Sequence, residues 1–429
     1  MNETEFDLQL FAAGDAVMGT DGYVNANSGT TESYAGGGLS PEMKTFYDKT
    51  LITLAGANLV HEQFGQKRPI PAGSGKTIEF RRFSALPKAL TPITEGVTPS
   101  GNKLTVTPVT ATVEQYGDYV EQTDLLELTA VDNTIVETTK KLADQAGKTI
   151  DTVVREVINA GTNVLYSRKN TDGTFTDVSS RADVDASCKL TVRDVFRAAA
   201  ELKAMNAPKI DGSYAAIIHP YVAYDLMQEA GDEWIDIAKY ASPENVLAGE
   251  IGRLAGIRFV ESSEAKIFAP GVISDGKCRL TVKTANSTAS TTVAVNEVLT
   301  PAQSVSIPVY IAGVENTVTA IATSNGATTL TVATATKCAI GDTVCGRGAG
   351  SDGSAVFSTL ILGADAFGVT DVAGGGIEHI VKQKGYGNDP LNQRSSIGWK
   401  ALSCAEILVD EYMVRVESGS SFSAVAEAN

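Results

Sequence analysis

The sequence predicts an α+β fold into which a small all-β module has been inserted. Three stretches carry that expectation. Residues 134–160 are apolar every three to four positions, the period of one helix face. Residues 77–120 alternate at period two on either side of a tip rich in Pro, Thr, Gly and Ser, the pattern of a long hairpin. Residues 271–353 shift in composition to Thr, Val, Ala and Ser with one aromatic, Tyr310, and repeat short period-two runs.

Bulk properties set the outer limits. The chain has 429 residues, room for two to three domains at ~150 residues each. Its hydrophobic content of 43% and charged content of 20% suit a protein that buries a core. A net charge of −16 argues against a protein that coats nucleic acid, which needs a basic face. A container wall is compatible with that charge, because an acidic wall repels enclosed DNA. The opening MNETEFDLQLFAAGDA has no basic start, so no secretion signal is expected, and no apolar run reaches the ~18 residues of a membrane span. Five scattered cysteines suggest free thiols in a reducing cytoplasm.

Residues 1–40 read as a flexible arm, of which 11–40 are rich in Gly, Ser, Thr and Asn and cannot offset their ordering entropy alone. Residues 41–64 read as a helix with Pro41 in its first turn, and 41–76 as helix plus turn. In the hairpin, 77–80 and 104–114 alternate around a tip with almost nothing to bury. An isolated ribbon of that kind is marginal in water, so it must pack on something else. The helix at 134–160 opens with a capping-box spacing, Thr134 and Glu137, and its face runs through Ile135, Leu142, Ala146, Ile150, Val153 and Val157. With the turn before it, it forms a segment 121–186. From 187 to 270 come a helix at 191–205, the strand SYAAIIHP, a helix begun by Pro220, and the Gly-punctuated strands of GEIGRLAGIRFVES. The inserted module follows, with strands expected near 292–295, 305–311, 317–321 and 330–334. Residues 354–429 complete the host domain, beginning with the apolar strand and turn of SAVFSTLILGADAFGV.

Candidate chemistry is sparse. Gly73-Ser74-Gly75-Lys76-Thr77 imitates the end of a phosphate loop, but Ile70 stands where that loop needs Gly, and a strand follows where it needs a helix. His61, His219 and His379 lie far apart without a nucleophile context, and His219 before Pro220 reads as a helix cap. Cys338 and Cys345 lack a second pair at zinc spacing. Neither a catalytic site, a cofactor nor a metal is expected.

The most specific stretch is 389–400, DPLNQRSSIGWK, between the loop KGYGN and the run ALSCAEILVDEYMVRVE, which ends in strand alternation. Pro390 fixes a turn, Arg394 supplies a charged fork of donors, and Gly-Trp-Lys re-enters a strand. The stretch resembles a hallmark of tailed-phage major capsid proteins of the group typified by coliphage N-four. The strand-His-Pro-helix succession, GEIGRLAGIRFVE and SAVFSTLILGADAFGV resemble the same family, over 40–270 and 354–418. The resemblance implies a Hong Kong 97-like capsid fold: N-arm, extended loop at 77–120, spine helix, peripheral domain and axial domain. It implies self-assembly into hexamers and pentamers of an icosahedral virion shell around double-stranded DNA, formed in the host cytoplasm with no membrane and no enzymatic step. Scaffolding, portal and decoration proteins are the further partners it suggests. One branch of this fold crosslinks a hairpin Lys to a neighbour's Asn; Lys88 and Lys103 are here expected to be ordinary solvated lysines. Asp389, Pro390, Gln393, Arg394 and Trp399 are the candidates for fixing the domain junction or a subunit contact. The competing class is an extracellular β-rich surface protein or adhesin.

Overall fold

The computed structural model describes residues 17–19, 22–24, 59–69, 76–83, 86, 88–90, 92, 95–96, 101–129, 134–171, 173–231, 235–236, 249–324, 326–370, 377–382, 384 and 391–429. They fall into two compact units that divide after Val154, inside the long helix. The first holds Met1–Glu62, Lys67–Val154 and Val369–Ala405; the second holds Gln63–Gln66, Arg155–Gly368 and Glu406–Asn429.

In the first unit, Thr77–Phe83 pairs antiparallel with Val106–Thr112, Thr77 opposite Thr112 and Phe83 opposite Val106. After Val113 the chain continues as Glu114–Thr123, the edge strand of a three-stranded antiparallel sheet. Arg394–Ser403 is the middle strand and Ile377–Lys382 the far one. The long helix Thr134–Ile158 packs on this sheet through Leu142, Ala143, Ala146 and Ile150 against Ile377, Ile397, Trp399 and Ala401. Its inward face continues through Val154 and Ile158, while Val153 and Val157 are only half-buried, so the stripe sits one position round from the sequence reading. Glu137 pairs with Lys140 at 2.7 Å, and the side chain of Thr134 lies outside the described residues.

The helix expected over 41–64 is corrected at its described end. Leu59 and Val60 have no regular structure and Glu62–Phe64 is a single 3₁₀ turn. The reason is tertiary: the His61 backbone N–H and ring Nδ1 both bond the buried Asp151 carboxylate at 2.7 Å, which replaces helical pairing there. Residues 41–58, most of the arm, the ribbon tip and the acidic run 232–234 lie outside the described residues.

The second unit is built on a mixed sheet with strand order Ile235–Asp236, Glu250–Leu254, Ile257–Glu261, Tyr214–Ile218, Val356–Leu362, Met413–Ser418, Val164–Tyr166; Ile267–Phe268 also pairs with Val356–Leu362. The helices Val192–Ala204 and Pro220–Ala230 bury Val195, Leu202, Val222 and Leu226 in the same core as Ile218, Phe259, Phe357 and Ile361. Thr191 and Asp194 form a reciprocal capping box at the first of these helices.

The module is a six-stranded antiparallel sheet, in order Arg279–Thr281, Thr343–Gly346, Ile307–Ile311, Val314–Ser324, Ala327–Cys338, Asn286–Val295. Its two edges meet. Val282 bridges Val295, Lys283 N–H donates to Ala294 O at 2.8 Å, and Asn296 N–H donates to Thr281 O at 2.9 Å. The sheet therefore closes into a barrel, which leaves no free strand edge in that part. Its interior is aliphatic, with Leu280, Val293, Val309, Ile321, Leu330 and Val344 among its buried members, and it shares no residue with the core of the host sheet.

Candidate assembly surfaces

The ribbon changes character along its length. Near its base Ile78, Phe80 and Ala111 are buried. Farther out Phe83, Leu86, Leu90 and Leu104 are large apolar groups left mostly in solvent, Leu90 at 81% exposure. Exposed apolar groups recurring along one element suit an interaction surface. Lys88 and Lys103 are solvent-exposed on the same element.

Of the five residues singled out from sequence, Asp389 and Pro390 lie outside the described residues. Gln393 and Arg394 are exposed at the start of the middle strand, where the Gln393 carbonyl accepts from Asp124 N–H at 3.0 Å and Arg394 lies 4.0 Å from Glu121. Trp399 is 3% exposed, packed beneath the long helix, with its indole N–H donating to Gln145 Oε1 at 3.3 Å. Gln145 also donates to Asp118 at 2.7 Å, which ties the helix to the edge strand. The Gly before Trp399 has a steric role that the sequence did not reveal. A Cβ on Gly398 would lie 2.8 Å from Tyr119 Cβ, and one on Gly117 would lie 2.6 Å from the Trp399 carbonyl. Gly398 stands opposite Tyr119 and Gly117 opposite Lys400, so each glycine lets its strand approach the other, and both line a groove of 500 Å³ rimmed by Tyr119, Ile380 and Lys382.

In the second unit a buried charge network was missed altogether. Glu417 is fully buried in the strand Met413–Ser418, gripped by Arg181 at 2.7 and 2.6 Å and by Arg415 at 2.9 Å. Arg181 also stacks 3.5 Å over Phe268, and Arg415 donates to the carbonyls of Asn159 and Gly161. The alternation of MVRVES suggests one polar, solvated face; both faces are in fact buried, so the charges must be paired. His219 accepts the Tyr221 N–H at 3.2 Å as the cap of its helix, and burial pushes its imidazole down to about 4. A 470 Å³ cleft mixes Arg168 and Lys189 with Asp225 and Glu229, and Asp225 is bonded to Ser420 and Ser421. Among the described residues no cluster could hold a metal ion and all five cysteines are free. No described helix is long and apolar enough to cross a membrane.

A family model described as phage capsid protein matches residues 105–297. The matched segment, under half of the chain, runs from the ribbon's return strand through the edge strand, the long helix, both helices of the second unit and into the barrel. Solved structures similar to the chain include the capsid of cyanophage P-SCSP1u at 15% identity, covering 85% of this chain and 89% of that one with a TM-score of 0.45. The capsid of Ralstonia phage GP4 matches at 12% identity, 81% and 84% coverage and a TM-score of 0.49. The capsid of cyanophage Pam1 matches at 12%, with 83% and 87% coverage and a TM-score of 0.43. Among curated proteins none matches.

Proposed function

We propose that the chain is the major capsid protein of a tailed double-stranded DNA phage, assembling with copies of itself into hexamers and pentamers of an icosahedral head. The capsid-family match over 105–297 carries this reading. In it the ribbon is the extended loop that lies over a neighbouring subunit, and the helix Thr134–Ile158 is the spine. The three-stranded sheet belongs to the peripheral domain, the mixed sheet is the axial domain, and the barrel is a knob added to it. The exposed apolar groups of the ribbon support the overlap, since a second copy lying on them would bury them.

The work of such a subunit is binding rather than catalysis. The net charge of −16 keeps the wall from adhering to the DNA it encloses. Asp389, Pro390, Gln393 and Arg394 lead into the sheet that Trp399 anchors, and we assign the first four to a subunit contact and Trp399 to holding the sheet on the spine. Scaffolding, portal and decoration proteins, and assembly in the host cytoplasm before residence in the virion, complete the proposal. The extracellular adhesin reading draws no support from the family match. Expression of the chain alone and with candidate scaffolds, followed by negative-stain electron microscopy, tests it: rings or shells are expected, and a monomer under every condition would overturn it.

A further inference from the structure

The barrel is joined to the mixed sheet by two linkers and shares no core residue with it, and bodies joined in that way swing by default. Here the linkers are locked together. Gly271 N–H, where the chain enters the barrel, donates at 3.1 Å to the carbonyl of Arg347, where it leaves. Gly346 lies so close that a Cβ on it would collide with the Gly271 backbone, so the crossing requires glycine there. Just past the crossing, Ser351 N–H donates to Val184 O at 2.7 Å.

One side chain leaves the barrel to reinforce this neck. Arg279, half-buried in the first barrel strand, donates through Nε and Nη2 to the Gly353 carbonyl, and Nη2 also lies 3.5 Å from the Ala424 carbonyl. Ala424 belongs to the segment 419–429, which has no helix or strand, only a bridge at Gly419. The segment is nevertheless tied along its whole length. Gly419 N–H donates to Cys188 O at 2.8 Å, in the 184–188 loop that also seats Ser351. The buried Asp225 accepts from Ser420 Oγ and Ser421 N–H, each at 2.9 Å. Phe422 stacks on Tyr221 with ring centroids 4.5 Å apart, and Ala424 O accepts from Ala355 N–H at 2.9 Å. At the far end the Asn429 side chain donates to the Ser263 and Ala265 carbonyls, and its own carbonyl accepts from the buried Arg155 at 2.8 Å. Anchored on both sides of Ala424, the segment holds that carbonyl in place beneath Arg279.

We propose that residues 419–429 are a strap that, with Arg279, clamps the neck of the barrel and fixes the angle at which the barrel stands on the mixed sheet. Every copy of the chain then presents the same face of its barrel. The clamp is internal to one chain, so it holds whether or not the shell reading does.

Hydrogen exchange read by mass spectrometry tests the strap, with all variants compared in one assembly state. Phe422→Ala with Asn429→Ala removes two of its anchors and leaves the neck and Arg279 untouched. Exchange over 269–273 and 347–353 is expected to quicken about ten-fold or more, in this variant as in Arg279→Ala. The barrel strands Val314–Ser324 and Ala327–Cys338 and the host strand Val356–Leu362 should stay within about two-fold of wild type. Tryptic cleavage after the exposed Arg347 should accelerate with the linkers. Linker exchange within about two-fold of wild type in the strap variant overturns the proposal, even if Arg279→Ala loosens the neck, because the arginine then acts through the Gly353 turn alone. Quickened exchange throughout the barrel and host strands of the strap variant also overturns it, because the segment then supports the whole fold and not the neck.

Discussion

At the scale of single residues, the structure assigns two buried ionisable groups a cost that solution measurements can read. His219 titrates near 4 in the fold against 6.5 when exposed, because burial disfavours the imidazolium. Between those values the unfolded chain binds the extra proton, so stability is complete above pH 6.5 and is lost as pH falls towards 4. The loss amounts to about 3 kcal/mol. His219→Asn keeps a capping side chain and should flatten that part of the stability–pH profile in urea titrations; an unchanged slope would place the acid sensitivity elsewhere. Glu417 is the second case. Glu417→Ala leaves Arg181 and Arg415 facing each other without their carboxylate, at a cost of about 3–5 kcal/mol in urea unfolding. Trp399→Ala should cost a similar ~3–5 kcal/mol through the cavity left under the long helix.

At the scale of elements, legibility followed periodicity. The long helix and the barrel strands announced themselves because one face of each is buried and the other is wet, so period 3.6 or 2 survives in the sequence. Every period-two run expected in the module lies in or overlaps a strand, yet the closure of the barrel was invisible, since it depends on Val282 and Val295 meeting across its ends. Elements buried on both sides lost their pattern: Met413–Ser418 reads as amphipathic while Arg415 and Glu417 face the interior. The end of the expected first helix was misread because His61 bonds Asp151, 90 positions away, a contact that local propensity does not encode. In DPLNQRSSIGWK the strand re-entry was readable. The demand for Gly at 398 was not, because it comes from Tyr119 and Asp118 on the neighbouring strand. Gly398→Val should therefore separate the two strands, cost about 1–3 kcal/mol and be visible as faster amide exchange over Glu114–Thr123.

At the scale of the whole molecule, the separate cores of barrel and mixed sheet predict that the module can be removed. Deleting 276–350 with a short Gly linker should leave the mixed sheet folded, because none of its core residues comes from that stretch. If the knob stabilises the head, particles of the deletion variant disassemble at a lower temperature; light scattering on heating decides, and an unchanged transition removes the stabilising role. The central claim is that this acidic chain, with its projecting ribbon and capsid-family segment, is a shell-building subunit. Cryo-electron microscopy of the particles it forms tests that most directly. The account predicts a closed icosahedral shell of six-fold and five-fold rings in which each ribbon crosses onto a neighbour. A homogeneous monomer, or an open aggregate without symmetry, would contradict it.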